Sequence, residues 1–189
     1  LDVFFGSRGN LALEYRMPGG SSWADMVLLG RHEKKPAGVL IELKNWITQG
    51  DIPGIGEGLM ERRGGMDQHP SAQVAGYVEW CQNFHSAVQD RDAGVHGCVL
   101  FTKDAYYHTY GLPPNAELTR RYPCFSTAAN DVKDRLPEFF ASRITEPDHD
   151  FAREFVEGSY RQNRSFVALV GEQILSTDRS PFVLLDGQR

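Results

Sequence analysis

The stretch Ala37-Gly-Val-Leu-Ile-Glu-Leu-Lys-Asn-Trp46 places two charged side chains at the end of an apolar run. The apolar residues predict a central strand, because a strand that is buried on both faces is apolar along its length. Successive side chains of a strand alternate between faces, so Glu42 and Lys44 point the same way while Ile41 and Leu43 point into the core. Charges in such a strand are costly to bury unless they are paired or bind a metal.

Two more strands come before this stretch. Alternating apolar and polar residues predict a strand at 11–16, and a second one follows at 24–30 after a turn rich in glycine and serine. Together with residues 37–46 they form a predicted meander of neighbouring strands. Asp25 lies at the start of the second strand, so it can face Glu42 across the sheet.

Asp25 and Glu42 therefore form a candidate metal site. Two neighbouring carboxylates repel each other unless a cation lies between them. Mg²⁺ or Mn²⁺ is the expected occupant, and the backbone carbonyl of Leu43 can supply a further oxygen ligand. Such a metal polarises a phosphoryl oxygen and lowers the pKa of a bound water, while Lys44 orients that water or stabilises charge on phosphorus. The alternative is that Glu42 and Lys44 form an ion pair on an exposed sheet face.

A helix is predicted over residues 70–89, because apolar residues recur there at helical spacing after Pro70. Gln73 and Tyr77 are four residues apart and share one face of it. Near the charged strand they can hold a substrate phosphate or the attacking water. The alternative is a buried tyrosine beside a partly exposed glutamine.

The rest of the chain is predicted more coarsely. The glycine-rich segment 48–66 is expected to be a mobile loop or a flexible hairpin. Residues 106–123 are expected to be irregular. Further elements are predicted as a strand at 95–102, helices at 129–142, 148–162 and 165–176, and a strand-like segment at 182–185.

Composition excludes several classes of protein. The 189 residues are 41% hydrophobic and 24% charged, which is typical of a globular chain. No apolar run reaches the ~20 residues of a membrane-spanning helix, and the first residues lack the basic-then-apolar pattern of a signal peptide. The cysteines, Cys81, Cys98 and Cys124, are odd in number and lack zinc-binding spacing, so we expect reduced core thiols in a cytoplasmic protein.

The net charge of −5 argues mildly against a large nucleic-acid surface. A metal nuclease needs only a local basic patch, because its own carboxylates account for part of the negative charge. Candidate patches for phosphate contacts are Lys34-Lys35, Arg62-Arg63, Arg120-Arg121, and Arg161 with Arg164. The alternative for each is ordinary solvated surface.

Taken in order, Ala24-Asp25, Glu42-Leu43-Lys44 and Gln73-x-x-x-Tyr77 resemble the PD-(D/E)XK nuclease superfamily over residues 11–102. The resemblance implies a restriction-endonuclease-like α/β core, with a mixed central sheet flanked by helices and extra C-terminal helices. It implies metal-ligand roles for Asp25 and Glu42, a catalytic ammonium at Lys44, and substrate positioning by Gln73 and Tyr77.

The match to this superfamily departs from its pattern at two places. Ala24 replaces the usual proline, and residues 1–10 are too short for the helix that usually opens the core. Some members take an acidic residue from that helix, and Glu14 is the candidate here. His69 adjoins the helix bearing Gln73; we expect it to cap that helix and keep it as a further candidate site residue.

A narrower resemblance joins Glu42-Leu-Lys-Asn-Trp46 with His69-Pro-Ser71, Gln73 and Tyr77. This set is similar to the nuclease-like domain that precedes a superfamily 1 helicase in Schlafen-group proteins. It implies a nuclease-like domain at 1–145, then at 146–189 a helical extension and the start of a helicase domain of a longer chain. DNA, or RNA, is the expected substrate, and the helicase domain the expected partner.

Two other functions stay open. A nuclease fold can serve as a non-catalytic module that binds nucleic acid, which suits the acidic net charge. It can also serve as a partner-docking domain in a defence system, with the aromatic region 106–122 as the contact surface.

Overall fold

We describe the protein from a computed structural model covering residues 9–103, 107–128 and 130–162, together with the backbone of residues 3–6. Its strands are β1 (Val3–Gly6), β2 (Gly9–Arg16), β3 (Trp23–His32), β4 (Lys35–Lys44), β5 (Ile52–Pro53), β6 (Leu59–Arg62), β7 (Gly65–Gln68), β8 (Gly94–Phe101) and β9 (Cys124–Ser126). Its α-helices are α1 (Pro70–Phe84), α2 (Ser86–Arg91), α3 (Ala116–Arg121), α4 (Leu136–Ala141) and α5 (His149–Val156). A π-helical turn, Asp131–Arg135, leads directly into α4, and a 3₁₀ turn occupies His108–Gly111.

The central sheet is mixed and has the order β1-β2-β3-β4-β8-β9. Strands β1 to β4 are antiparallel neighbours, as the predicted meander requires, while β4, β8 and β9 run parallel. A parallel pair needs a long crossover connection, and α1 with α2 lies within the one between β4 and β8. Residues 36–42 of β4 are all buried, so the apolar stretch is a central strand, as predicted.

One face of the sheet is covered by α1. Leu40 and Val99 on that face belong to the same buried cluster as Val74 and Val78 of the helix. Gly97 allows the helix to approach, because a Cβ there would lie 2.2 Å from Cγ1 of Val74. This close approach fixes the position of α1 relative to the side chains on this face of the sheet.

The predicted helix 70–89 is broken at His85. This residue has an extended backbone (φ −88°, ψ 121°), and α2 starts immediately after it. Its buried ring stacks on Phe155 at 4.2 Å and lies 2.7 Å from the hydroxyl of Tyr15. Tertiary contacts therefore override the helical periodicity that continues through this point.

The segment 48–66, predicted as a mobile loop or a flexible hairpin, forms hairpins, because it contributes to a second, antiparallel sheet in the order β5-β6-β7. Gly50, Gly58 and Gly64 have φ between 79° and 87°, which suits the turns of this small sheet. Arg62 is buried and donates from Nε to Asp51 Oδ2 at 2.7 Å, and Tyr110 donates to the same oxygen at 2.6 Å. This sheet is therefore tied to the 3₁₀ turn by a buried polar network.

Other predicted elements differ in their limits. Residues 106–123 contain the 3₁₀ turn and α3 rather than irregular chain alone, and the helix predicted at 148–162 ends at Val156. The predictions for 165–176 and 182–185 lie outside the described residues.

Helix α5 packs against the central sheet and contributes to its hydrophobic core. Phe151 and Phe155 are fully buried in the cluster that contains Ala12 and Val27 of the sheet. Beyond α5, Arg161 donates its backbone N–H to the carbonyl of Phe84 at 2.7 Å. The described segment 146–162 therefore shares the core of the sheet. The domain division at residue 145, which the resemblance implies, stays a prediction.

Cys81, Cys98 and Cys124 are free thiols in the protein interior, as predicted. Burial raises the pKa of each thiol, so the neutral form persists at physiological pH. In the described part of the chain, no helix has the length and apolar character needed to cross a membrane.

Candidate active site

Asp25 lies where the backbone pairing of β3 and β4 stops. The ladder runs from His32 opposite Lys35 to Met26 opposite Ile41, and the next position would pair Asp25 with Glu42. Here the backbone N–H of Leu43 donates to Asp25 Oδ2 at 2.7 Å.

The same bond fixes the direction of the Leu43 carbonyl. Within a strand, the N–H and C=O of one residue point to the same neighbouring strand, so this carbonyl also lies on the β3 side. The side chain of Leu43 packs in the opposite layer, against Ile41. The strand end therefore presents a backbone oxygen beside Asp25.

Glu42 is 5% exposed, although its side chain is a carboxyl group. Its Oε1 accepts from Lys44 Nζ at 2.6 Å, while its Oε2 is buried and has no hydrogen-bond partner among the described residues. Burial raises the pKa of the Glu42 carboxyl above its usual range; Lys44 acts in the opposite sense, and the charge of Asp25 adds to the rise. A buried carboxylate oxygen usually has a hydrogen-bond donor or a cation as a partner, and Glu42 Oε2 has neither among the described residues.

Lys44 holds a central place among these groups. Its ammonium donates to Glu42 and, at 2.8 Å, to Oε1 of Gln73 on α1. An ammonium has three N–H donors, and these two bonds use two of them. The side chain is 13% exposed, so the third donor lies in a largely desolvated setting.

Gln73 and Tyr77 extend the network along α1. The side-chain amide of Gln73 donates from Nε2 to the hydroxyl oxygen of Tyr77 at 2.6 Å. Because that hydroxyl accepts from Gln73, its own proton is left for an acceptor outside the pair. Burial raises the pKa of Tyr77, which keeps the hydroxyl a donor at neutral pH.

The structure thus brings Glu42, Lys44, Gln73 and Tyr77 into one chain of hydrogen bonds, with Asp25 at its sheet end. It does not bring Glu14 into that chain. Glu14 interrupts the pairing of β2 with β3 opposite Asp25, has a left-handed backbone (φ 49°) and is exposed.

His69 caps α1, which is the role expected for it. Its Nδ1 accepts from the backbone N–H of Ser71 at 3.0 Å, and its Nε2 lies 3.1 Å from the carbonyl of Tyr110. Nε2 must therefore carry the proton. Burial lowers the pKa of His69 to about 4, so the ring is neutral at pH 7.

The oxygen groups at this strand end suit a hard divalent cation. Asp25 and Glu42 supply two carboxylates, and Leu43 supplies a carbonyl. The buried Glu42 Oε2 has no hydrogen-bond donor among the described residues, and a bound cation would give it a partner. Within the described ranges, no cluster of three or more His, Cys, Asp or Glu side chains is arranged to hold a metal. Asp25, Glu42 and the Leu43 carbonyl would be the protein's ligands to such a cation, and water or substrate phosphate would complete its coordination.

Trp46, which lies near Lys44, received no site role from the sequence, and Arg62 was expected only in a basic surface pair. The ring of Trp46 lies 5.1 Å from Lys44 Nζ and 3.6 Å from the guanidinium carbon of Arg62. Arg62 looked like part of a basic surface pair, but it is buried and cannot contact phosphate at the surface. Three of the other predicted patches hold an arginine or lysine paired with a carboxylate: Lys35 with Asp92, Arg120 with Glu117, and Arg161 with Asp90.

Comparisons of this chain with protein-family models, curated proteins and solved structures found no match.

Proposed function

We propose that this chain is a metal-dependent nuclease domain with a PD-(D/E)XK-type core, which hydrolyses phosphodiester bonds in DNA and belongs to a cytoplasmic nuclease-helicase protein. The observation that supports the proposal is the hydrogen-bonded set Glu42, Lys44, Gln73 and Tyr77 beside Asp25. Residues from two strands and one helix, up to 52 positions apart in sequence, meet at one strand end. A surface ion pair between Glu42 and Lys44 would need neither the burial nor the helix.

Each side chain has a separate task in this proposal. Asp25, Glu42 and the Leu43 carbonyl hold Mg²⁺ or Mn²⁺, which supplies Lewis acidity and a more acidic bound water. Lys44 directs its third N–H at a non-bridging phosphate oxygen and stabilises the charge that builds there. Tyr77 donates its hydroxyl proton to the same phosphate or to the attacking water, while Gln73 fixes both Lys44 and Tyr77.

Cleavage of labelled DNA with Mn²⁺, Mg²⁺ or EDTA tests the proposal. Lys44→Met removes the ammonium, and Lys44→Arg keeps the charge but replaces the point donor with a planar fork. Lys35→Met, at the other end of β4, is the matched control. We expect metal-dependent cutting by the wild type and the control, and a loss of roughly 10²–10³-fold in both Lys44 variants.

Full cutting by a folded Lys44→Arg or Lys44→Met protein would overturn this assignment. Cutting that persists in EDTA would exclude the metal. RNA of the same sequence serves as the second substrate, because the site chemistry acts on the phosphate and does not itself select deoxyribose.

A non-catalytic nucleic-acid-binding module is the second candidate. It is favoured by the small number of protein ligands, since in the described residues no third acidic or His side chain joins Asp25 and Glu42. Calorimetric titration with Mn²⁺ separates the two functions. A site that disappears in Glu42→Gln supports the nuclease, whereas DNA binding with no metal uptake supports the module.

A further inference from the structure

A groove of about 510 Å³ lies directly beside the proposed nuclease site. One wall is the turn that contains Gly20 and Ser22, and the other is the face of α1 that carries Gln73 and Tyr77. The two residues that end the hydrogen-bond chain therefore also line the groove. A ligand in the groove would therefore lie next to the position at which Lys44 would contact a phosphate.

Gly76 keeps this groove open. It lies in the middle of α1, where glycine is a poorer helix former than alanine. A Cβ at this position would have no atom within 4 Å, so packing does not demand glycine, and no left-handed backbone does either. The missing side chain instead adds depth to the surface between Ala72 and Trp80, which lie one turn before and after it and also line the groove.

The side chains around the groove suit bases better than phosphates. Among the described residues that line it, none is charged, and Gln68, Gln73 and Ser22 offer hydrogen-bonding groups. Tyr77 and Trp80 supply two aromatic rings. Trp80 is half-buried, and its ring centroid lies 6.2 Å from that of Phe84 and 6.3 Å from those of His85 and Tyr160. The part of its ring that lines the groove is what a base can reach.

A second groove, on the other side of Ala72 and Gly76, provides a contrast. Its lining includes three carboxylates, Glu57, Glu79 and Glu117, and only one cation among the described residues, Arg121. Those carboxylates repel a phosphate backbone, so a nucleic-acid strand is favoured on the neutral side.

We propose that the groove between α1 and the turn at 18–22 binds unpaired nucleotides of a single strand, with Trp80 as the stacking surface. The inference rests on the proposed nuclease function and assigns its substrate as single-stranded nucleic acid. A volume of this size takes a ligand of one or two nucleotides, and only unpaired bases offer their faces to an aromatic ring. Because bases fill the groove, few phosphates contact cations, and binding should depend weakly on salt.

Fluorescence anisotropy in EDTA tests binding without cleavage. The probes are a labelled thymidine oligonucleotide of about 12 residues and a duplex of the same length. Gly76→Leu fills the groove yet improves helix propensity, so its affinity and its thermal stability should change in opposite senses. Gln82→Leu, at an exposed position of α1 that lines neither groove, is the matched control.

We expect Gly76→Leu to weaken binding of the single strand by about tenfold or more without lowering the melting temperature. Trp80→Phe should weaken it less than Trp80→Leu, and should abolish the part of tryptophan quenching that the oligonucleotide causes. Gln82→Leu should bind as the wild type does, and the duplex should bind more weakly than the single strand.

Wild-type affinity in Gly76→Leu, or equal affinity for the duplex, overturns the groove assignment. If that variant also cuts DNA normally, the nuclease proposal stands and the groove alone is wrong. Binding that Gly76→Leu abolishes, in a protein that never cuts with any metal, supports the groove and rejects the nuclease.

Discussion

Glu42 and Asp25 place two negative charges beside one ammonium, Lys44, and the metal-free site is therefore short of one positive charge. A surplus buried charge destabilises a fold, which is the usual trade-off at a functional site. Glu42→Gln removes the surplus, and the oxygen of the new amide can still accept from Lys44. We expect the free energy of unfolding in EDTA to rise by about 1 kcal/mol.

Urea denaturation in EDTA, followed by melting with and without Mn²⁺, measures both sides of this trade-off. Mn²⁺ should raise the melting temperature of the wild type and leave Glu42→Gln unchanged, because only a ligand that binds the folded state stabilises it. Glu61→Gln, at an exposed position of β6, is the control. A less stable Glu42→Gln protein that still responds to Mn²⁺ would contradict the charge argument.

His69 makes the fold sensitive to acid. Its folded pKa of about 4 lies below the 6.5 of an unfolded histidine, so the unfolded chain binds more protons between these values. The contribution of His69 is therefore complete above pH 6.5 and is lost as the pH falls towards 4. The loss is on the order of 3 kcal/mol, at about 1.4 kcal/mol per pKa unit.

His69→Asn tests this linkage, because asparagine keeps an N-cap acceptor and does not titrate. Unfolding free energies between pH 7 and pH 4.5 should fall less steeply in the variant, although the variant is less stable at pH 7. The slope will not vanish, since burial also lowers the pKa of His85 to about 4. An unchanged slope would show that the capping ring is not the titrating group.

At the scale of elements, the sequence predicted those features that local patterns determine. The apolar run of β4 and its alternation placed Glu42 and Lys44 on one face, and the four-residue spacing placed Gln73 and Tyr77 together on α1. The break at His85 was not predictable, because it depends on Phe155, which is 70 residues away. For the glycine-rich segment the sequence left a loop and a hairpin open, because its buried partners, Asp51 and Arg62, are polar and give no apolar pattern.

The small sheet β5-β6-β7 contains a buried ion pair between Arg62 and Asp51, and we expect its stability to depend on that pair. Arg62→Met leaves Asp51 buried without its guanidinium partner, while the hydroxyl of Tyr110 still donates to it. We expect a loss of about 3 kcal/mol of stability in urea denaturation. Replacing both residues, Arg62→Met with Asp51→Leu, should recover much of that loss.

Arg63→Met is the control, because its side chain is exposed beside the same strand. The result also bears on the candidate site. Trp46 lies against both Arg62 and Lys44, so Arg62→Met should change tryptophan fluorescence even in the double variant. Equal stability of the wild type and Arg62→Met would mean that the pair contributes nothing to the small sheet.

At the scale of the whole molecule, α5 closes the structure around the elements that carry the site. Phe155 packs on Tyr15 of β2 at a centroid distance of 5.0 Å and on His85 at the end of α1. The Phe155 carbonyl also accepts from the Tyr15 hydroxyl at 3.1 Å. The sheet and α1 are thus held in relation to each other by a helix that the sequence assigned to a separate extension.

Phe155→Ala should therefore destabilise the entire fold and not a C-terminal segment alone. Truncating a fully buried phenylalanine costs about 3–5 kcal/mol, which is a large share of the stability of a typical domain. Urea unfolding followed by circular dichroism and by the fluorescence of a Trp80→Phe background should shift by the same amount. In that background Trp23 and Trp46 report on β3 and the end of β4, and circular dichroism reports on the whole chain. Trp23→Ala, which removes a half-exposed aromatic ring, should cost about 1 kcal/mol or less. If Phe155→Ala shifts one signal and leaves the other in place, α5 unfolds by itself, and the boundary predicted at residue 145 is a true domain boundary.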